Sequence, residues 1–422
     1  MSRSTLSIAP YYGGKSRMAH FISDRLDYNN TDTFLTPFGG MCRVLLNKPR
    51  HRQECYNDFS SGLNALMSVL SDHDRAIEFI HRLYYNTEYS QEEFDRQKKI
   101  FDNAETDLEE QEKEKLRRLL IDNEIISAVS ARGFLDAFME QAQSDSGDAV
   151  KEHNDVIKAA FVKLDERFKK DTDFEKKFQE IFDNWFELYQ LKERQGYIER
   201  SSDMGEYVSE MDLAVATYIV YLQSRDGRGE VWSGVKFASQ TQYLNRILTL
   251  YDCAERLKGV HVYQIDAIDF FREFAFHDID LKDEDVDPNY LMLNKWINNP
   301  RVMMYCDPSY ISPDDEKRLL GGINVNQVNN LSNAIKEKYN GKKMPKNLGE
   351  IYARSFGYPE QENFLRCIQN ARCKIMVSNY DLTLYNKYLN SSTGWRREEF
   401  RTTTSVGGKK GNERIEVIWY NY

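Results

Sequence analysis

Apolar positions along the chain follow two periods. Short apolar runs or alternating stretches occur at Thr33–Thr36, Glu54–Asn57, Val260–Ile265, Val302–Cys306 and Lys374–Tyr380. Each has the length and β-former content of a strand. Between them the spacing changes to threes and fours, as in Met18, Phe21, Ile22 and Leu26, or Leu63, Leu66, Met67 and Leu70. Leu213–Leu222 is apolar on all sides and predicts a buried helix, and Asp252–Leu257 reads as helical. Strands alternating with helices predict an α/β doubly wound sheet of the Rossmann-like type. The end of the chain departs from this, because Ile415–Trp419 follows Gly407-Gly408-Lys409-Lys410-Gly411 as the return strand of a closing antiparallel hairpin.

The middle of the chain differs again. From about 84 to 207 charge is dense, Gly and Pro are sparse, and apolar residues keep helical spacing. Leu119, Leu120, Ile125, Ile126 and Val129 are one such set; Phe178, Ile181, Phe182, Trp185 and Phe186 are another. This predicts an all-helical insertion at 84–207 within a domain formed by 1–83 and 208–422. Gln143–Asp148 reads as an inter-helix loop and Glu105–Glu110 as a solvated acidic face.

Composition narrows the class. With 422 residues, 41% hydrophobic and 29% charged, the chain suits a large globular protein of two or three domains. No run of about 20 apolar residues is present, and the first fifteen residues lack the apolar region of a secretion signal. The six scattered cysteines predict reduced thiols in a cytoplasmic protein, and no metal set is implied. A net charge of −10 argues against a uniformly basic nucleic-acid surface, while leaving room for a local basic groove.

Candidate chemistry sits where strands end. Asp307-Pro308-Ser309-Tyr310 follows Val302–Cys306, and Pro308 cannot continue a ladder. In open α/β sheets this carboxyl edge binds ligands, although Asp-Pro-Ser is also ordinary turn chemistry. Pro37-Phe38-Gly39-Gly40 follows Thr33–Thr36, and such glycines admit a nucleotide-like ligand close to the backbone. Asp58 ends the next strand, at the distance expected of a ribose-binding acid; it is equally placed to cap the helix after it. Asp266 ends Val260–Ile265, with Asp269 as a competitor. Tyr11-Tyr12-Gly13-Gly14-Lys15 alone reads as a turn before a helix. Arg225-Asp226-Gly227-Arg228-Gly229 suits phosphate and base-edge contacts, or a plain surface loop. The run around Lys342 and Lys343 suits phosphate contact equally with a solvated loop.

In order and spacing these segments resemble the D12 class, or Dam-like, DNA adenine-N6 methyltransferases. The set is Tyr11–Lys15, Thr36–Gly40, Tyr56–Asp58, Glu255–Asp266, Tyr305–Tyr310, Ser378–Tyr380 and Arg414–Val417. It spans roughly 1–70 and 210–422 and leaves out the helical middle. The resemblance implies an S-adenosylmethionine-dependent methyltransferase sheet and site-specific methyl transfer to a flipped-out adenine in duplex DNA. It implies that Tyr11, Tyr12, Gly13, Gly14, Lys15, Pro37, Phe38, Gly39 and Gly40 bind S-adenosylmethionine, with Asp58 on its ribose and Asp266 on its adenine. It implies that Asp307, Pro308, Ser309 and Tyr310 are catalytic, and that 223–250, with Arg225 and Arg228, contacts DNA. By the same resemblance 84–207 is a target-recognition domain; a docking site for a cognate restriction endonuclease or other protein, or a simple scaffold, are the other readings of this stretch. The protein is then bacterial or phage-encoded. Thr36 stands where the family usually carries Glu, and Ser309 where it usually carries a second proline. An RNA or cytosine-N4 acceptor on the same fold, or a non-catalytic DNA-binding relative, are the alternatives.

Overall fold

A computed structural model describes residues 5–105, 116–126, 155–182, 209–264, 267–271, 298–339, 356–369, 371–403 and 413–422. Its centre is a seven-stranded sheet of β1 (Thr33–Thr36), β2 (Gln53–Asn57), β3 (His261–Tyr263), β4 (Val302–Cys306), β5 (Lys374–Tyr380), β6 (Arg396–Thr403) and β7 (Glu413–Tyr420). The order across the sheet is β3-β2-β1-β4-β5-β7-β6. β1 to β5 are mutually parallel, and β7 runs antiparallel between β5 and β6. The mixed α/β sheet with its antiparallel end hairpin is a methyltransferase-type arrangement. β1 and β4 are buried at every residue, which is why they read as continuous apolar runs.

The chain leaves β1 toward β2 and β3 on one side, and returns to add β4 on the other. Thr33 pairs with Gln53 on one flank and Val302 on the other. The carboxyl ends of β1 and β4 therefore flank the point where the strand order reverses, the position at which open α/β sheets bind ligands. β3 is shorter than expected. After Tyr263 the chain leaves the ladder, and the Gln264 amide instead donates to Ser61 Oγ at 3.0 Å and to the Phe59 carbonyl at 3.3 Å.

The chain divides into two compact units. The sheet belongs to the unit formed by Met1–Glu105, Glu210–Phe271 and Ile297–Tyr422, and the second is drawn chiefly from Thr106–Ser209. The boundary expected at 84 thus falls about twenty residues later. The reason is packing: the helix Gln91–Glu105 buries Phe94 and Phe101, and Phe101 meets Tyr221 edge-on with centroids 5.6 Å apart. Tyr221 lies on the helix Glu210–Gln223, whose residues from Ala214 to Gln223 are all buried, as its uniform apolarity predicts.

In the second unit, residues 116–122, Asp155–Lys170 and 172–182 are helical. Leu119, Leu120, Ile125, Ile126, Phe178 and Phe182 are buried, and Phe168 packs on Phe178 at 5.2 Å. Val129, 143–148, Trp185 and Phe186 lie outside the described residues. All six cysteines are free thiols. Among the described residues no helix is long and apolar enough to cross a membrane.

Candidate active site

Two loops leave the sheet at the reversal point. The first follows β1. Gly39 donates its N–H to the Asn57 carbonyl at 2.8 Å, and the Asn57 amide donates to the Pro37 carbonyl at 2.8 Å. A β-carbon on Gly39 would sit 2.1 Å from the Tyr56 ring, so only glycine fits. Gly40 donates its N–H to Asp58 Oδ2 at 2.7 Å, while Tyr56 donates its hydroxyl to the Gly40 carbonyl at 2.9 Å. Asp58 Oδ1 accepts the Ser60 N–H at 3.0 Å. The cap of the next helix is Ser60, whose hydroxyl accepts from Leu63 N, and not Asp58. Asp58 is therefore a half-buried carboxylate that ties the end of β2 to the glycine turn and to the start of the next helix.

The second loop follows β4. Asp307 Oδ1 pairs with Lys15 Nζ at 2.9 Å and accepts the Ser378 hydroxyl at 2.8 Å. The Tyr305 hydroxyl lies 2.7 Å from Ser378 Oγ, inside the sheet. Lys15 is only 6% exposed and also donates to the Gly13 carbonyl at 2.9 Å. Its ammonium stands 4.2 Å from the Tyr310 ring centre, a cation–π contact. Tyr380 packs on Tyr310 with ring centres 4.8 Å apart and planes at 71°, and the Tyr310 hydroxyl donates to Glu416 at 3.4 Å. Packing around Tyr310, helped by Asp307 and Glu416, pushes its phenol well above the usual value, so it stays a neutral donor. Lys15, reached in sequence only as part of a glycine motif, is thus an immediate partner of Asp307.

The Arg/Gly segment joins the same site. Tyr12 donates its N–H to the Gly227 carbonyl at 3.0 Å. Gly227 has φ +65°, and a β-carbon there would lie 2.6 Å from the Pro10 carbonyl carbon. This close approach carries exposed Arg225 and Arg228 up to the Tyr11–Lys15 loop, where the Arg228 guanidinium lies over the Tyr12 ring at 4.3 Å. The segment is held from behind by Arg225 N–H to the Val231 carbonyl at 2.7 Å.

One unit therefore brings together Tyr11–Lys15, Pro37–Gly40, Asp58, Asp307–Tyr310, Arg225 and Arg228. Asp266, Lys342 and Lys343 lie outside the described residues. The Thr36 hydroxyl is buried and turns to the Phe38 carbonyl at 3.4 Å, so this position offers no carboxylate. Gln361, buried on the helix Tyr358–Ile368 and bonded to the Ser309 carbonyl at 2.8 Å, belongs to none of the motifs read from the sequence. A polar residue buried in an apolar strand, as at Ser378, was the available signal for a site partner.

The family model of D12 class N6 adenine-specific DNA methyltransferases matches residues 11–184. The matched span holds Tyr11–Lys15, Pro37–Gly40 and Asp58, and runs on through much of the helical segment that the sequence resemblance had left out. It stops short of Arg225 and Asp307. No curated protein matches the chain.

Proposed function

We propose that this chain, similar to D12 class DNA adenine methyltransferases, moves a methyl group from S-adenosylmethionine to N6 of an adenine turned out of duplex DNA. The observation that carries this reading is the placement of Asp307-Pro308-Ser309-Tyr310 beside the glycine turn and Asp58, across the strand-order reversal. What supports the cofactor is the pair of glycines in the turn after β1 and the half-buried carboxylate of Asp58 at the end of β2, the pattern by which such sheets hold a nucleoside. Pro37, Phe38, Tyr11, Tyr12, Gly13, Gly14 and Asp58 would hold it, with Asp266 on its base. When bound, S-adenosylmethionine supplies an activated methyl group on a positively charged sulfur.

The protein's own task is to make a poor nucleophile competent. The N6 lone pair of adenine is delocalised into the ring. The Asp307 carboxylate and the Pro308 carbonyl can accept the two amino hydrogens, drawing the nitrogen toward a tetrahedral form whose lone pair points at the methyl group. Lys15 and Ser378 both bond Oδ1 and so fix the rotation of the carboxylate. The Tyr310 ring offers a stacking face for an extruded base. The rate then comes from positioning and electrostatics, with no covalent enzyme intermediate. Arg225, Arg228, Lys342 and Lys343 would bind backbone phosphates. The helical unit would read the target sequence or contact a cognate nuclease. This reading suits a cytoplasmic protein of a bacterium or phage.

The test is incubation with unmodified genomic DNA and methyl-labelled S-adenosylmethionine, followed by digestion to nucleosides. Label in N6-methyladenine is expected. Label in N4-methylcytosine, or transfer only to RNA, would reassign the acceptor. Cofactor binding without transfer to either would favour a non-catalytic DNA-binding protein.

A further inference from the structure

We propose that Gln361 is the positioning residue that fixes the Asp307–Tyr310 loop against the loop after β1, an inference that rests on the methyl-transfer reading for its kinetic consequences. Gln361 is fully buried on the helix Tyr358–Ile368. Its amide donates to the Ser309 carbonyl at 2.8 Å and to the Phe356 carbonyl at 2.9 Å. The Ser309 hydroxyl donates to the same Phe356 carbonyl at 3.1 Å. Behind it, the Tyr385 hydroxyl donates to Gln361 Oε1 at 2.9 Å, so the amide cannot flip without losing a bond.

The other end of this clamp lies at the first loop. Phe38, between Pro37 and Gly39, packs edge-on against Phe356 at 5.0 Å and against Phe364, on the Gln361 helix, at 5.4 Å. A single helix therefore holds the backbone of Ser309 and the side chain of Phe38, on either side of the strand-order reversal. Ser309 has free φ, unlike a proline, and its backbone would otherwise be set by the Pro308 turn alone. Two amide bonds and one hydroxyl bond supply that constraint here. Fixing Ser309 fixes the Pro308 carbonyl one residue before it, the acceptor the mechanism needs.

The experiment uses the full chain with four variants: Gln361→Leu, Tyr385→Phe, Ser309→Ala and the double variant Gln361→Leu/Ser309→Pro. Two quantities are read, amide exchange in the 307–311 segment and steady-state methyl transfer. In Gln361→Leu, exchange at 307–311 should rise about tenfold or more, with β4 and β5 amides unchanged. Its kcat should fall roughly tenfold to a hundredfold, while KM for S-adenosylmethionine stays within about twofold. Tyr385→Phe and Ser309→Ala should show smaller shifts in the same direction. The double variant should recover the slow exchange at 307–311, because proline fixes φ without the clamp. Unchanged exchange in Gln361→Leu would overturn the proposal, and so would faster exchange throughout β4 and β5 with no recovery by proline. If the exchange pattern appears but the unsubstituted protein transfers no methyl group, the clamp stands and the methyl-transfer reading fails.

Discussion

Two lysine–carboxylate pairs stand at opposite edges of the same sheet. At the carboxyl edge Lys15 meets Asp307, and at the amino edge Lys48 meets Glu54. Both lysines are withdrawn from solvent, but their surroundings differ. Glu54 is saturated: besides Lys48 it accepts Arg256 through both oxygens, at 2.6 and 3.0 Å, and the His51 N–H at 3.1 Å. Lys48 also bonds His51 Nδ1 at 2.8 Å and lies over the Phe34 ring at 4.2 Å. That cluster closes on itself and leaves little to offer a ligand. Asp307 is 19% exposed and, among the described residues, is bonded by Lys15 and Ser378 through one oxygen, with the lysine lying over the Tyr310 ring. A saturated ion cluster holds elements together, whereas a pair at the strand-order reversal with acceptor capacity in reserve can do chemistry.

Substitutions that separate the two pairs test this contrast. Asp307→Ala should lower methyl transfer by about a hundredfold to a thousandfold or more, with an unfolding midpoint close to that of the unsubstituted protein. Appreciable activity in that variant would remove Asp307 from the chemistry. Glu54→Ala should do the reverse. It leaves Lys48 buried, and the half-buried Arg256 beside it, without a counter-charge and should cost about 3–5 kcal/mol in denaturant unfolding. The remaining folded protein should keep its kcat; a selective loss of kcat would mean that the two edges are coupled.

The amino-edge cluster should also set the acid limb of stability. Burial, reinforced by the Lys48 charge, pushes His51 down to about 4. The unfolded imidazole titrates near 6.5, so the unfolded chain binds the extra proton first. This contribution is fully present above about pH 6.5 and is lost as the pH falls toward 4. Glu54 is also held below its usual range, despite burial that opposes this, by its bonds to Arg256 and Lys48, and adds to the loss at the lower end. A His51→Gln variant should show a flatter stability profile between pH 6.5 and 4 in chemical denaturation. An unchanged slope would show that other groups govern that limb.

The smallest effect concerns the edge of the site. Arg228→Ala should weaken DNA binding about equally for all sequences and reduce the slope of log affinity against log salt by roughly one. A change in sequence preference instead would make Arg228 a base reader.

Much of the fold was legible because local patterns carried it. Val302–Cys306 and Lys374–Tyr380 are strands over the predicted residues, and Pro308 ends β4 as its missing N–H demands. Where a pattern had two physical causes, sequence reasoning erred or stayed open. The helix Gln91–Glu105 looks like the charged helices after it, yet its two buried phenylalanines assign it to the sheet unit. Asp58 had the position of a helix cap, but Ser60 took that role two residues later.

The sequence by itself determined most strand and helix segments, the end of β4 and the strand-end positions of Pro37–Gly40, Asp58 and Asp307, because periodicity, proline and glycine act within a few residues. Tertiary structure alone decided which of those residues meet. Lys15 and Asp307 are 292 residues apart by the difference of their numbers, and Gly227 docks on Pro10 across a similar gulf. No local rule encodes such pairings. They follow from the order in which strands join the sheet, which is set by the burial of whole faces rather than by the chemistry of any one segment.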